Sequence, residues 1–312
     1  METVSDRPSV LIVGTGAMAC LLGARLTPHA QVTMLGTWRE GLAALGSRGI
    51  CLETNGATQT APVRVTSDPA ECRDSTSALV LVKSYQTARA ARQLKECLAP
   101  DGVALTLQNG LGNREALEQA LGAGRVAQGV TTCGVTLLGP GHARLGGEGI
   151  TYLATHPRLA PLAGLLRCAG FQIEETEGVA SLVWGKVVVN AAINPITALL
   201  RIRNGELLEP ARSGAWRVAR EAADEATIVA RQSGVRLPFE SAEAYVAEVA
   251  RRTAANRSSM LQDVERGRPT EIDAISGAVV AAGERLGVDT PVNRTLWDLV
   301  RSLRPQPDGA SG

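Results

Sequence analysis

The run Ser9-Val-Leu-Ile-Val13 stops on Gly14, and from Ala17 to Leu26 apolar side chains then recur at helical spacing until Pro28. A strand-like run that breaks on glycine and passes at once into a helix opens a βαβ unit. Such a start commits a chain to a parallel sheet with helical crossovers. The pattern continues. Gln31–Leu35, Ala78–Val82 and Val103–Leu107 read as further strands, with a helical stretch from Ala88 to Leu98 between the last two. The first half is therefore expected to form a doubly wound, Rossmann-type α/β domain.

The turn itself reads Gly14-Thr15-Gly16-Ala17-Met18-Ala19. Gly14 permits the tight turn, Gly16 lets backbone amides approach a pyrophosphate at the helix N-terminus, and Ala19 fills the third position of a G-x-G-x-x-G/A fingerprint. The loop predicts a dinucleotide site. An NAD site usually carries a carboxylate at the end of the second strand for the ribose 2′-hydroxyl. Here the residues are Leu35-Gly36-Thr37-Trp38-Arg39-Glu40, with no acid at the strand end. Either Thr37 and Arg39 hold a 2′-phosphate, favouring NADP(H), or Arg39 simply opens the next helix in water. Lys83 and Asn109 follow the Ala78 and Val103 strands, at the carboxyl edge where open α/β sheets bind ligands. Each is a cofactor contact or a surface loop residue.

After Arg125 the runs Val126–Leu137, Ala143–Leu145 and Ile150–Leu153, divided by Gly139-Pro-Gly141 and Gly146-Gly147, predict antiparallel strands closing the sheet. From Gly178 the period is helical. One long helix is expected from Asn204-Gly205, and Pro291 suits the first turn of the last one. The expected domains are residues 1–177, an all-α domain at 178–303, and a disordered tail at 304–312 rich in Pro, Gly and Ser.

Charge and composition exclude several partners. Thirty-two Lys and Arg against thirty-one Asp and Glu give a net charge of +1, and there are only four Trp, three Tyr and two Phe. Neither nucleic acid nor an anionic membrane is expected to bind such a surface. Cys20, Cys51, Cys72, Cys97, Cys133 and Cys168 are widely spaced without a C-x-x-C, which predicts reduced cytoplasmic thiols and no metal site. The polar N-terminus Met-Glu-Thr-Val-Ser-Asp predicts no secretory leader. Leu182–Leu200 is long and apolar, but Lys186, Asn190, Asn194 and Pro195 argue for a buried helix rather than a membrane span.

That helix carries the most informative pattern. Lys186, Asn190 and Asn194 are four residues apart, so each lies about 40° round from the last and all share one face, while Val, Ala and Ile fill the others. A buried ammonium and two buried amides need partners. Either other protein groups supply them or a ligand does. A second cluster runs Ser258-Ser259-Met-Leu-Gln262-Asp263, then Thr270-Glu271-Ile-Asp273. Taken alone, Ser259 reads as a helix cap and Glu271 as a carboxylate favouring a helix dipole.

Together these motifs are similar to those of the ketopantoate reductase family. The resemblance runs from Gly14 to about Val300 and is carried by Trp184-x-Lys186-x-x-x-Asn190-x-x-x-Asn194-Pro, Asn204-Gly-Glu206, and the Ser258 and Thr270 segments. It implies reduction of 2-dehydropantoate to pantoate by NADPH on the route to pantothenate and coenzyme A, with NAD as a possible cofactor. By position it makes Lys186 the general acid that protonates the developing alkoxide while hydride attacks C2. Glu271 would orient Lys186 and contact cofactor or substrate. Asn109, Asn190, Asn194, Asn204 and Ser259 would bind substrate. Gly14 to Ala19, Lys83, Asn109 and Val135 would hold the cofactor. Relatives often carry Arg directly at the second strand end, where this chain has Gly36. The resemblance leaves a monomer or homodimer open. It also leaves two other readings: a dehydrogenase of another branched 2-oxo acid that uses NADH, and a dinucleotide-sensing protein without turnover.

Overall fold

A computed structural model describes residues 7–303, so the expected tail at 304–312 lies outside the described residues. The chain divides into two compact units. One runs to Gln108 and resumes from Asn113 to Val179, and the other comprises Asn109–Gly112 and the residues from Ala180 on.

The first unit contains β1 (Ser9–Val13), α1 (Ala17–Leu26), β2 (Gln31–Leu35), α2 (Arg39–Arg48), β3 (Ile50–Thr54), β4 (Ala57–Ala61), β5 (Arg64–Thr66), β6 (Ser75–Val80), α3 (Thr87–Cys97), β7 (Leu98–Thr106), α4 (Asn113–Leu121), β8 (Val126–Thr131), β9 (Gly134–Gly139), β10 (His142–Gly147), β11 (Ile150–Ala154), α5 (Ala160–Cys168) and β12 (Gln172–Thr176). Eight strands form one sheet in the order β12-β11-β8-β7-β6-β1-β2-β5. Neighbours from β8 to β5 are parallel, and β11 runs antiparallel to β8. The unbroken apolar runs follow from burial on both faces. Val10 and Ile12 join one core with the leucines of α1. Leu11 and Val13 join the other with Leu94 of α3 and Leu117 of α4.

A second sheet, β4-β3-β10-β9, corrects the expected antiparallel closure. The β9–β10 hairpin leaves the main sheet and pairs through β10 with β3, in parallel. Only β11 closes the main sheet antiparallel; β8 joins it parallel to β7. The cause lies in α1, which is apolar on nearly every face and so must be covered on both sides. The main sheet covers one side, while Ile50, Leu52, Ala61, Leu137 and Ala143 of the small sheet complete the same core. Gly23 permits the approach, since a Cβ there would lie 2.7 Å from Ile50 Cδ1.

The second unit is helical: α6 (Val179–Leu200), α7 (Ser213–Gln232), α8 (Ala242–Arg252), α9 (Ser259–Glu265), α10 (Ser276–Leu286) and α11 (Pro291–Arg301). By length and composition α6 could cross a membrane, yet 72% of its most apolar stretch is buried. It packs as a core helix. Val187, Val188, Ala192 and Ile196 share one core cluster with Ala219, Ala222, Ala223 and Ala226 of α7, and Ala191 and Ala198 join Met260, Leu261 and Ile275 in a further cluster. The helix expected from Asn204-Gly205 begins nine residues later, at Ser213. Two 3₁₀ turns, Gly205–Leu208 and Pro210–Arg212, intervene because Pro210 holds Glu209 extended (ψ 140°).

Candidate active site

In the first unit the glycine loop has the geometry its residues require. Gly14 has φ +133°, a Cβ on it would stand 3.0 Å from the Leu81 carbonyl, and its N–H donates to Leu35 O at 2.8 Å. Only glycine suits that position. Gly16 caps α1 at an ordinary φ of −84°, and no side chain caps the helix. A Cβ there would meet nothing within 4 Å. Ala17 and Met18 form the half-buried first turn and Ala19 is fully buried against the sheet. An uncapped, positive helix end facing open space fits a diphosphate.

The end of β2 explains the departure at Gly36. A Cβ on Gly36 would lie 2.7 Å from Thr15 Cγ2, so a larger side chain there would have to turn the Thr15 side chain aside. Thr37 and Arg39 follow, both exposed, and Arg39 is the first residue of α2. Arg89 of α3, which nothing in the local sequence singles out, donates from Nη1 to Thr37 Oγ1 at 2.8 Å.

Lys83 lies three residues beyond β6, half-buried, just before a 3₁₀ turn at Ser84–Gln86. Gln108, also passed over by motif reading, pins this region: its Nε2 donates to Val82 O at 2.9 Å and to Thr87 Oγ1 at 2.8 Å. Val135 sits on β9 of the small sheet, paired with Leu145.

In the second unit α6 presents Lys186 and Asn190 half-buried and Asn194 buried. One turn past Asn194, Thr197 Oγ1 lies 2.8 Å from Ile193 O and 2.7 Å from Ser258 Oγ. Ser258, not Ser259, caps α9, accepting from Leu261 N at 3.1 Å. Ser259 is the exposed first residue of that helix. Its expected capping role is thus corrected, because only Ser258 has the extended backbone (ψ 154°) a cap needs.

Asn109, which sequence order attaches to the sheet edge, belongs to this unit. Its Nδ2 donates to Glu271 Oε2 at 3.4 Å, and Leu111 N donates to Ala274 O at 2.9 Å. Gly110 (φ +85°) allows the contact, since a Cβ would come 2.4 Å from Ala274 O. Glu271 is buried and precedes a 3₁₀ turn of only three residues, Ile272–Ala274, so the expected helix dipole is absent and its carboxylate serves Asn109 instead.

Asn204 is buried too. Its Nδ2 donates to Thr253 Oγ1 at 3.0 Å, and that hydroxyl in turn donates to Val249 O at 2.7 Å. This chain of donors fixes the amide orientation and leaves Asn204 Oδ1 as a buried acceptor with no donor among the described residues.

Residues 10–158 match the family model described as "Ketopantoate reductase PanE/ApbA", and residues 179–304 match its C-terminal counterpart. A 2-dehydropantoate 2-reductase of Archaeoglobus fulgidus is 40% identical over 94% of this chain and 97% of its own. Among solved structures, a PanE/ApbA family ketopantoate reductase from Ralstonia eutropha superimposes with a TM-score of 0.88 at 32% identity, covering 95% of this chain and 98% of that one. A D-mandelate dehydrogenase with NADH and anilino(oxo)acetate gives 0.87 at 24% identity over 94% and 97%, a likeness of fold.

Proposed function

Because the chain belongs to the ketopantoate reductase family, an oxidoreductase family, we propose that it reduces the C2 carbonyl of 2-dehydropantoate to the alcohol of pantoate with NADPH. The observation that carries this reading is the stripe Lys186, Asn190 and Asn194 on an otherwise apolar core helix. A core helix does not keep an ammonium and two amides along one face without a polar task.

When bound, the dinucleotide supplies hydride to C2. Lys186 then acts as general acid: its ammonium donates to the substrate carbonyl oxygen and passes its proton to that oxygen as negative charge develops. A fixed cation at that point stabilises charge present only in the transition state. Asn190 and Asn194 offer amide N–H donors to the substrate carboxylate. Glu271 holds Asn109, and both contact the reacting ends of substrate and cofactor. Asn204 Oδ1, a buried acceptor awaiting a donor, is suited to a substrate hydroxyl. Ser259, exposed at the start of α9, offers a second hydroxyl contact.

The amides at the start of α1, from Gly16 to Ala19, hold the diphosphate, with Gly14 and Thr15 shaping the turn, and Lys83 and Val135 contact the cofactor. Thr37 and Arg39 favour a 2′-phosphate, since no carboxylate stands at the end of β2.

The experiment is Lys186→Ala. Its kcat for 2-dehydropantoate falls at least ~10²-fold, the usual contribution of a general acid, while NADPH affinity measured calorimetrically stays near wild type. Near-normal kcat in this variant removes Lys186 from the role.

A further inference from the structure

From the pairing of Arg89 with Thr37 we infer that Arg89, on α3, is the principal reader of the adenosine 2′-phosphate, with Thr37 as its positioning residue and Arg39 as an auxiliary. The inference rests on the NADPH reading above and adds a residue that no motif marks. Three observations carry it.

The first is steric. The strand end, where an arginine would serve most directly, is Gly36 here, and a Cβ on it would come within 2.7 Å of the Thr15 methyl, so a larger residue would have to turn that side chain aside. The positive charge has to come from elsewhere.

The second is the bond itself. Arg89 lies 52 residues from Thr37 in sequence, yet its Nη1 donates to Thr37 Oγ1 at 2.8 Å across the ends of two strand–helix units. That contact brings a guanidinium to the residue following Gly36, the position expected to face the adenosine ribose. A planar guanidinium with one N–H engaged keeps the others for a bidentate grip on phosphate oxygens.

The third is electrostatic. Neither Arg89 nor Arg39 has a carboxylate partner among the described residues, and the one side-chain bond of Arg89 is to the neutral Thr37 hydroxyl. Arg89 also stands in the first turn of α3, a turn without any acidic side chain. A cation there opposes the helix dipole unless an anion joins it. A dianionic phosphate satisfies both the guanidinium and the helix end. A ribose hydroxyl can accept a hydrogen bond but brings no charge to offset either.

The test titrates apo protein calorimetrically with adenosine 2′,5′-bisphosphate and, in parallel, with 5′-AMP. Wild type binds the bisphosphate more tightly. Arg89→Ala weakens the bisphosphate by about tenfold to a hundredfold, the range of a charge-assisted contact, and changes 5′-AMP less than twofold. Arg89→Lys keeps the charge without the fork and recovers only part of the loss. Thr37→Val loosens the guanidinium and gives a smaller, equally selective loss. Arg39→Ala loses less than Arg89→Ala. Equal losses on both ligands, or a larger loss in Arg39→Ala, overturn the assignment while leaving NADPH preference intact. A wild type that binds both ligands alike overturns the NADPH preference itself, and ketopantoate reduction then proceeds with NADH.

Discussion

The same methyl group, added two residues apart, should have opposite consequences in the glycine loop. At Gly14 the φ of +133° lies where L side chains rarely go, and a Cβ would stand 3.0 Å from both carbon and oxygen of the Leu81 carbonyl. The neighbour is backbone just past β6, tied by Leu81 N to Val13 O, and cannot rotate away. A strained backbone position of this kind costs about 1–3 kcal/mol, so Gly14→Ala lowers the melting temperature by roughly 2–10 °C for a unit of this size. At Gly16 φ is −84° and the Cβ meets only open space. Alanine is a poorer helix cap than glycine but meets no steric strain here, so Gly16→Ala costs the fold only about 1 kcal/mol. Its methyl instead enters the space through which the α1 amides reach a diphosphate, and dinucleotide affinity falls at least about tenfold. Thermal unfolding and calorimetric titration with NADPH read the two effects separately. Wild-type affinity in Gly16→Ala would falsify the diphosphate cradle. An unchanged melting temperature in Gly14→Ala would show that the turn does not need its glycine.

Three further expectations concern the rest of the molecule. Glu225 accepts from Val292 N, Asn293 N and Asn293 Nδ2 at 2.8–2.9 Å, so Glu225→Ala should destabilise by about 2 kcal/mol after allowance for its partial exposure, read by urea unfolding; a loss below ~0.5 kcal/mol contradicts it. Burial pushes the Cys20 and Cys97 thiols up to about 12, whereas Cys168 is exposed. A thiol reagent should therefore label Cys168 first, and raising the pH to about 9 should not expose the other two before unfolding. Rapid native labelling of Cys20 refutes this. Mutating Asn109 to Ala removes the donor to Glu271 and should lower kcat/KM at least about tenfold, with little change in melting temperature; full activity removes the pair from the site.

Much of this was legible locally. The bounds of β1, α1 and β2 coincide with the runs read from the sequence, because an apolar strand, a glycine turn and a helix that ends near Pro28 are all local signals. The stripe on α6 was legible for the same reason: its spacing belongs to one helix. The hairpin β3–β4 was also within reach and was missed. Its turn is Asn55-Gly56 with φ of +50° and +81°, the dipeptide most suited to a two-residue hairpin. Long-range partners were not legible. Nothing near residue 142 tells that β10 pairs in parallel with β3, some ninety residues earlier, and nothing near Arg89 points to Thr37. The shift of the cap from Ser259 to Ser258 has another cause. Two adjacent serines look alike in sequence, and what separates them is the backbone angle of Ser258 and its bond to Thr197 on another helix, neither of which is a local signal.

The central claim is that a site with a buried hydroxyl acceptor reduces 2-dehydropantoate. The most direct measurement compares NADPH oxidation with 2-dehydropantoate and with 2-oxoisovalerate, which lacks the hydroxymethyl group and so its hydroxyl. A site that hydrogen-bonds a hydroxyl rejects the analogue lacking it. On the proposal that the buried Asn204 Oδ1 is that acceptor, kcat/KM should favour 2-dehydropantoate by at least about a hundredfold. Equal turnover of the two acids, or turnover of 2-oxoisovalerate alone, contradicts the account.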